Sequence, residues 1–184
     1  MRCFIGLPMP PRCQQGLERL AKDLKPGLRS RLSWTRSATW HLTLKFLGEI
    51  SESTASAVRE ALAGVSFRSF PMQAGGPGYF PNERKPRVLW LGLAQGAAQC
   101  RELFSDLEEA LSPLGIEPEQ RPFRAHLTLA RIREDRGDDW KALLGRVRGQ
   151  EWEPFSCDEL VFWKSDLTPQ GPVYTRLLTR RAED

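Results

Sequence analysis

Alternation and helical spacing of apolar positions divide the chain into short segments. Residues 2–7 (RCFIGL) form an apolar run stopped by Pro8, Pro10 and Pro11, which predicts a first strand. Leu17, Leu20, Ala21 and Leu24 recur at helical spacing and predict a helix over 14–25, closed by Pro26-Gly27. Residues 32–36 read as a short extended piece, and 40–47 as an alternating strand ended by Gly48. Ser51 and Glu52 open a second helix with Ala55, Val58, Ala61 and Leu62 on its apolar face and Gly64 at its end. Residues 67–73 read as extended and Gly75-Gly76-Pro77-Gly78 as a loop; 87–93 is the most strand-like run. A third helix spans 97–111, with Leu103, Phe104, Leu107 and Leu111 inward, terminated by Pro113 and Gly115. A second alternating strand covers 124–132, and a short helix covers 140–147 through Leu143 and Leu144. Strands at 159–164 and 173–179 are joined by a turn through Pro169-Gln170-Gly171-Pro172. Interleaved strands and helices predict an α+β protein.

The two alternating strands carry the same tetrapeptide, His41-Leu42-Thr43-Leu44 and His126-Leu127-Thr128-Leu129, and these contain the only two histidines of the chain. In a strand, histidine and threonine point to one face and both leucines to the other. The leucines would anchor each strand in a core while imidazole and hydroxyl face outward together. The copies stand almost half a chain apart, each followed by a helix and further strands, which predicts two pseudo-symmetric lobes. One such segment is ordinary half-buried strand. Both histidines in the same context, once per half, argue for shared chemistry.

Composition narrows the setting. At 184 residues and 40% hydrophobic, the chain is long enough to bury a real core. The net charge of +4 suits an acidic substrate but is too small to identify a nucleic-acid binder. Cys3, Cys13, Cys100 and Cys157 form no C-x-x-C pair and no metal-binding spacing with a histidine, so they read as reduced core thiols of a cytoplasmic protein. No secretory signal or membrane-length apolar run is present in this sequence.

Histidine exchanges protons near neutral pH, so a facing pair can supply an acid and a base at once, each worth about 10²–10⁴-fold in rate. Threonine hydroxyls on the same face can bond the non-bridging oxygens of a phosphate. Two histidines without a carboxylate or cysteine partner make an incomplete metal set. No G-x-S-x-G turn, G-x-G-x-x-G or P-loop is present. Arg124 shares the nominal face of His126 and is placed to steer a phosphate. Arg131 lies on the opposite face under strict alternation, and only a bulge or the end of the strand would turn it inward. Trp40, Tyr79 and Phe123 are candidates to stack on a base, although aromatics beside strands are more often core.

Two H-x-T-x motifs half a chain apart resemble those of the two-histidine phosphoesterase superfamily, and most closely its RNA 2′,3′-cyclic phosphodiesterases, historically named 2′-5′ RNA ligases. The similarity covers RCFIGLPMP, WHLTLKFLGEI, PRVLWLGL, RPFRAHLTLAR and ELVFWKSDLTPQGPVYT, in order and nearly end to end. The resemblance implies one bilobal domain over 1–184, with antiparallel sheets lining a central cleft and helices packed outside. It implies His41 as general acid and His126 as general base, with Thr43, Thr128 and Arg131 on the phosphate. No cofactor or metal is implied. The expected substrates are RNA ends or nucleotides carrying a 2′,3′-cyclic phosphate, handled by a monomer. Ligation, the reverse reaction, and a binding module without turnover are the alternatives.

Overall fold

Burying the leucines of both motif strands sets the architecture of the computed structural model, which describes residues 1–169 and 171–183. The strands are β1 (Arg2–Pro8), β2 (Arg31–Trp34), β3 (His41–Glu49), β4 (Phe70–Phe80), β5 (Val88–Gln95), β6 (Leu127–Glu134), β7 (Phe155–Cys157), β8 (Glu159–Thr168) and β9 (Gly171–Arg181). The helices are α1 (Pro11–Leu24), α2 (Glu52–Ala63), α3 (Ala97–Leu111) and α4 (Trp140–Arg148). The fold is α+β and the ladders between these strands are antiparallel.

The strand order β7-β4-β5-β6-β3-β1-β8-β9, with β2 beside β6, is symmetric about its middle. β3, β1, β8 and β9 make one lobe; β6, β5, β4 and β7 make the other. Each chain half therefore gives strands to the opposite lobe: β4 leaves the first half, and β8 and β9 return to β1. The lobes meet between the motif strands through a single residue pair, Leu42 opposite Leu127. Both leucines are fully buried, in one core with Leu17 and Leu20 of α1, Val58 and Leu62 of α2, Leu103 and Leu107 of α3, and Leu143 and Val147 of α4. All four helices thus contribute to the leucine side and leave the His/Thr face of the sheet open.

The motif strands share more than the tetrapeptide. On β3, Phe46 pairs with Phe4 and Lys45 with Ile5, but Thr43 with Gly6, so Leu44 is an extra residue. On β6, Ala130 pairs with Leu89 and Thr128 with Trp90, so Leu129 is the extra residue. A bulge at the fourth motif position resets the alternation. Burial follows identically in both copies: two successive buried residues (Leu44-Lys45, Leu129-Ala130), then an exposed one, Phe46 or Arg131. Lys45 is buried at the bulge, its ammonium 2.6 Å from Glu108 of α3 and donating to the Glu117 carbonyl at 2.7 Å.

Helix starts match their caps: the Ser51 side chain accepts from the Thr54 N–H and that of Asp139 from the Ala142 N–H. Several expected boundaries move. The stretch expected as a loop at Gly75–Gly78 lies inside β4, where Gly76, at φ 63°, occupies a bulge opposite β5. β3 does not stop at Gly48 but pairs on to Glu49 opposite Arg2. β7 has no counterpart in the sequence reading; it is three residues long, too short for a period to show. Of the turn between β8 and β9, Gln170 lies outside the described residues.

Candidate active site

His41 opens β3 and His126 immediately precedes β6, so the second histidine stands just outside the ladder and not within a strand as expected. The pairing of Leu42 with Leu127 puts the two motifs side by side, and His41, Thr43, His126 and Thr128 all line one cleft of about 730 Å³. Trp40 ties the lobes together there, its indole N–H donating to the Thr128 carbonyl at 3.1 Å.

Each ring is oriented by the same device. His41 Nδ1 lies 2.7 Å from the Thr39 carbonyl, and His126 Nδ1 2.8 Å from the Arg124 carbonyl, two residues back in each case. A carbonyl only accepts, so Nδ1 carries the hydrogen and Nε2 is left for proton exchange. His41 Nε2 lies 3.1 Å from Thr43 Oγ1.

The surroundings of the two rings differ. Phe4, Tyr174 and Trp163 enclose His41 at centroid distances of 4.7, 5.3 and 5.6 Å. Phe80 and Trp90 flank His126 at 5.0 and 6.3 Å. Burial pushes the His41 pKa below its ordinary value; the bond to the Thr39 carbonyl opposes this and the second histidine adds slightly to it. Burial also lowers the His126 pKa against the pull of the Arg124 carbonyl, and the positive charges of Arg131 and Arg124 lower it further.

The arginines separate. Arg131 reaches the cleft because the Leu129 bulge turns it back to the side of Thr128. Arg124 does not line the cleft: its guanidinium lies 5.7 Å from the Trp90 ring centroid and 6.0 Å from that of Phe80. The three aromatics proposed to stack on a base all have structural contacts, and of them only Trp40 also lines the cleft. Trp40 is 2% exposed against Trp152, Tyr79 donates its hydroxyl hydrogen to the Trp140 carbonyl, and Phe123 stacks on Phe104.

The sequence reading missed Arg2 and Phe4 of β1 and Ser165, Leu167 and Tyr174 of the β8–β9 hairpin, all from distant segments, and, nearer the motifs, Trp34 of β2, Arg36 and Arg133 of β6. Alternation of RCFIGL puts Arg2 and Phe4 on one face, but nothing local says that this face meets His41. Among the described residues no group of three or more His, Cys, Asp and Glu side chains is placed to hold a metal ion, and no helix is long and apolar enough to cross a membrane. All four cysteines are buried and free.

Comparison with known proteins fits this geometry. The family model of the LigT-like phosphoesterases matches the chain twice, over residues 7–90 and 91–174, once per motif. An RNA 2′,3′-cyclic phosphodiesterase of Aeropyrum pernix is 36% identical over 78% of this chain and 82% of its own. One of Methanothermobacter thermautotrophicus is 31% identical over 95% of both. A Thermus thermophilus protein of known crystal structure superposes with a TM-score of 0.79 at 26% identity, over 98% of this chain and 97% of its own. Escherichia coli LigT, crystallised with 3′-AMP, shares the fold at a TM-score of 0.79 and 22% identity, over 100% and 98% of the two chains.

Proposed function

This chain belongs to the LigT-like phosphoesterases, and on that premise we propose that it is an RNA 2′,3′-cyclic phosphodiesterase. It hydrolyses a terminal 2′,3′-cyclic phosphate to a 2′-phosphomonoester by acid–base catalysis between its two histidines, without a metal. The observation that carries the reading is the pair of imidazoles in one cleft, each with Nδ1 bonded to a backbone carbonyl and Nε2 left for the substrate.

His126 is the base. Two guanidinium groups beside it favour its neutral form, so its Nε2 takes a proton from water as the oxygen attacks phosphorus. His41 is the acid. The phosphate anion bound beside it favours the imidazolium that burial disfavours in the free protein, and this gives its Nε2 proton to the ribose O3′ as the P–O3′ bond breaks. The added oxygen stays on phosphorus, the 3′-hydroxyl is restored, and the proton gained by His126 replaces the one lost by His41 through solvent. The hydroxyls of Thr43 and Thr128 and the guanidinium of Arg131 meet the non-bridging oxygens, where charge builds up. Arg124, off the cleft but close enough to act on His126, draws the substrate anion by its charge.

The unit that acts is the whole chain, 1–184, as a single bilobal domain and a monomer; its free thiols suit the cytoplasm. Hydrolysis of a short RNA with a cyclic end in excess EDTA, read by phosphorus NMR, tests the reading. A 2′-phosphate is expected. A 3′-phosphate, or turnover restored only by added metal, would overturn it.

A further inference from the structure

The two bulges turn one side chain into the cleft on each motif strand, and these are Arg131 on β6 and Phe46 on β3. Arg131 has an obvious use toward phosphate. Phe46 does not: it is a large apolar ring left 49% exposed, with the Arg2 guanidinium 4.9 Å from its centroid. The exposed large hydrophobics among the described residues are Phe46, Leu167 at 69% and Val173 at 48%. Phe46 and Leu167 both line this cleft, and Val173 adjoins Pro172 and Tyr174, which also line it. Arg2, Arg36 and Arg131 line it as well, with no carboxylate in ion-pairing range among the described residues. Arg36 lies beside Gly171 at the tip of the β8–β9 hairpin.

Apolar surface interleaved with unpaired guanidiniums is the chemistry of single-stranded nucleic acid: a ring for a base face and cations for the chain of phosphates between. A lone cyclic mononucleotide has one phosphate, and the His/Thr quartet occupies it. Resting on the phosphodiesterase reading above, we propose that Phe46, backed by Arg2, is a stacking platform for the nucleotide preceding the cyclic end. The preferred substrate is then a single-stranded oligonucleotide and not a mononucleotide.

The test compares kcat/KM on a trinucleotide with a 2′,3′-cyclic end and on the matching cyclic mononucleotide, for the native protein, Phe46→Ala and Phe46→Trp. The native protein is expected to favour the trinucleotide. Phe46→Ala should lower the trinucleotide-to-mononucleotide ratio by roughly 5- to 150-fold, the range for one lost base–aromatic stack, mostly through KM, and Phe46→Trp should keep the ratio. Equal losses on both substrates in Phe46→Ala, or a native protein without preference, would overturn the platform. If the native protein turned over neither substrate, the phosphodiesterase reading would fall. Fluorescence anisotropy with a fluorescein-labelled trinucleotide bearing a 2′-phosphate would still decide the platform: weaker binding in Phe46→Ala alone supports it, and unchanged binding overturns it.

Discussion

Each imidazole has one nitrogen committed to a backbone carbonyl, so its chemistry rests on the other. His41→Ala and His126→Ala should each lower kcat by about 10²–10⁴-fold in a folded protein, checked by single-turnover assays and circular dichroism. Both pKa values in the free protein lie below the ordinary histidine value of 6.5. The proposed reaction needs one ring protonated and one neutral, so the bell-shaped kcat/KM profile should peak below pH 6.5. The kcat profile should peak at higher pH, because a bound phosphate anion favours imidazolium in both rings. Arg131→Ala removes a like charge from beside His126, which raises that pKa and moves the acid limb of kcat/KM upward. An unmoved limb would place Arg131 out of electrical reach of the base. Both histidines and both threonines were legible from the sequence, because alternation fixes which face a strand residue takes. The aromatic cages were not, because Phe4, Trp163 and Tyr174 reach His41 from three other strands.

At the scale of elements, the site depends on how closely β1 lies against β3. Gly6 pairs with Thr43, and a methyl group at Gly6 would come 2.3 Å from the Leu42 carbonyl oxygen. That oxygen is backbone at the centre of the motif, so it cannot swing aside. Gly6→Ala should cost about 1–3 kcal/mol in stability and reduce activity further than stability alone explains, measured by urea unfolding beside kinetics. The bulge on β3 makes a second prediction. Lys45→Ala leaves Glu108 mostly buried without its cation, and a loss of about 3–5 kcal/mol is expected in thermal or urea melts. A Lys45→Met/Glu108→Met double variant should recover most of that loss, since it removes both charges together. Helix positions were legible to within a few residues because caps and breakers are local signals. The Gly75–Gly78 stretch was misread because a glycine bulge inside a strand has the composition of a loop.

For the whole molecule, a net charge of +4 is modest, but Arg2, Arg36 and Arg131, without a carboxylate partner among the described residues, gather at the cleft. Affinity for an RNA end should therefore fall as NaCl rises, with a log–log slope near −0.7 for each phosphate engaged. A trinucleotide should show a steeper slope than a mononucleotide, and salt titrations of KM would read the difference. Equal slopes would mean that only the cyclic phosphate is bound by charge. The bilobal plan was foreseen from the repeated tetrapeptide, and the family model's two matches fall on the same halves. The exchange of β4 for β8 and β9 between lobes was not foreseen, since no local pattern says which strand a hydrophobic run will pair with.

The sequence by itself determined all four helices and most of the strands, the shared face of each histidine and its threonine, and through them the class of chemistry. These are properties of single strands, written in a period of two. The tertiary structure decided the register that brings the two motifs together at Leu42 and Leu127, and the bulges that turn Arg131 and Phe46 inward. It also decided the rings and cations that distinguish one histidine from the other. Those depend on the partner strand, and pairing partners are chosen by the packing of the whole core.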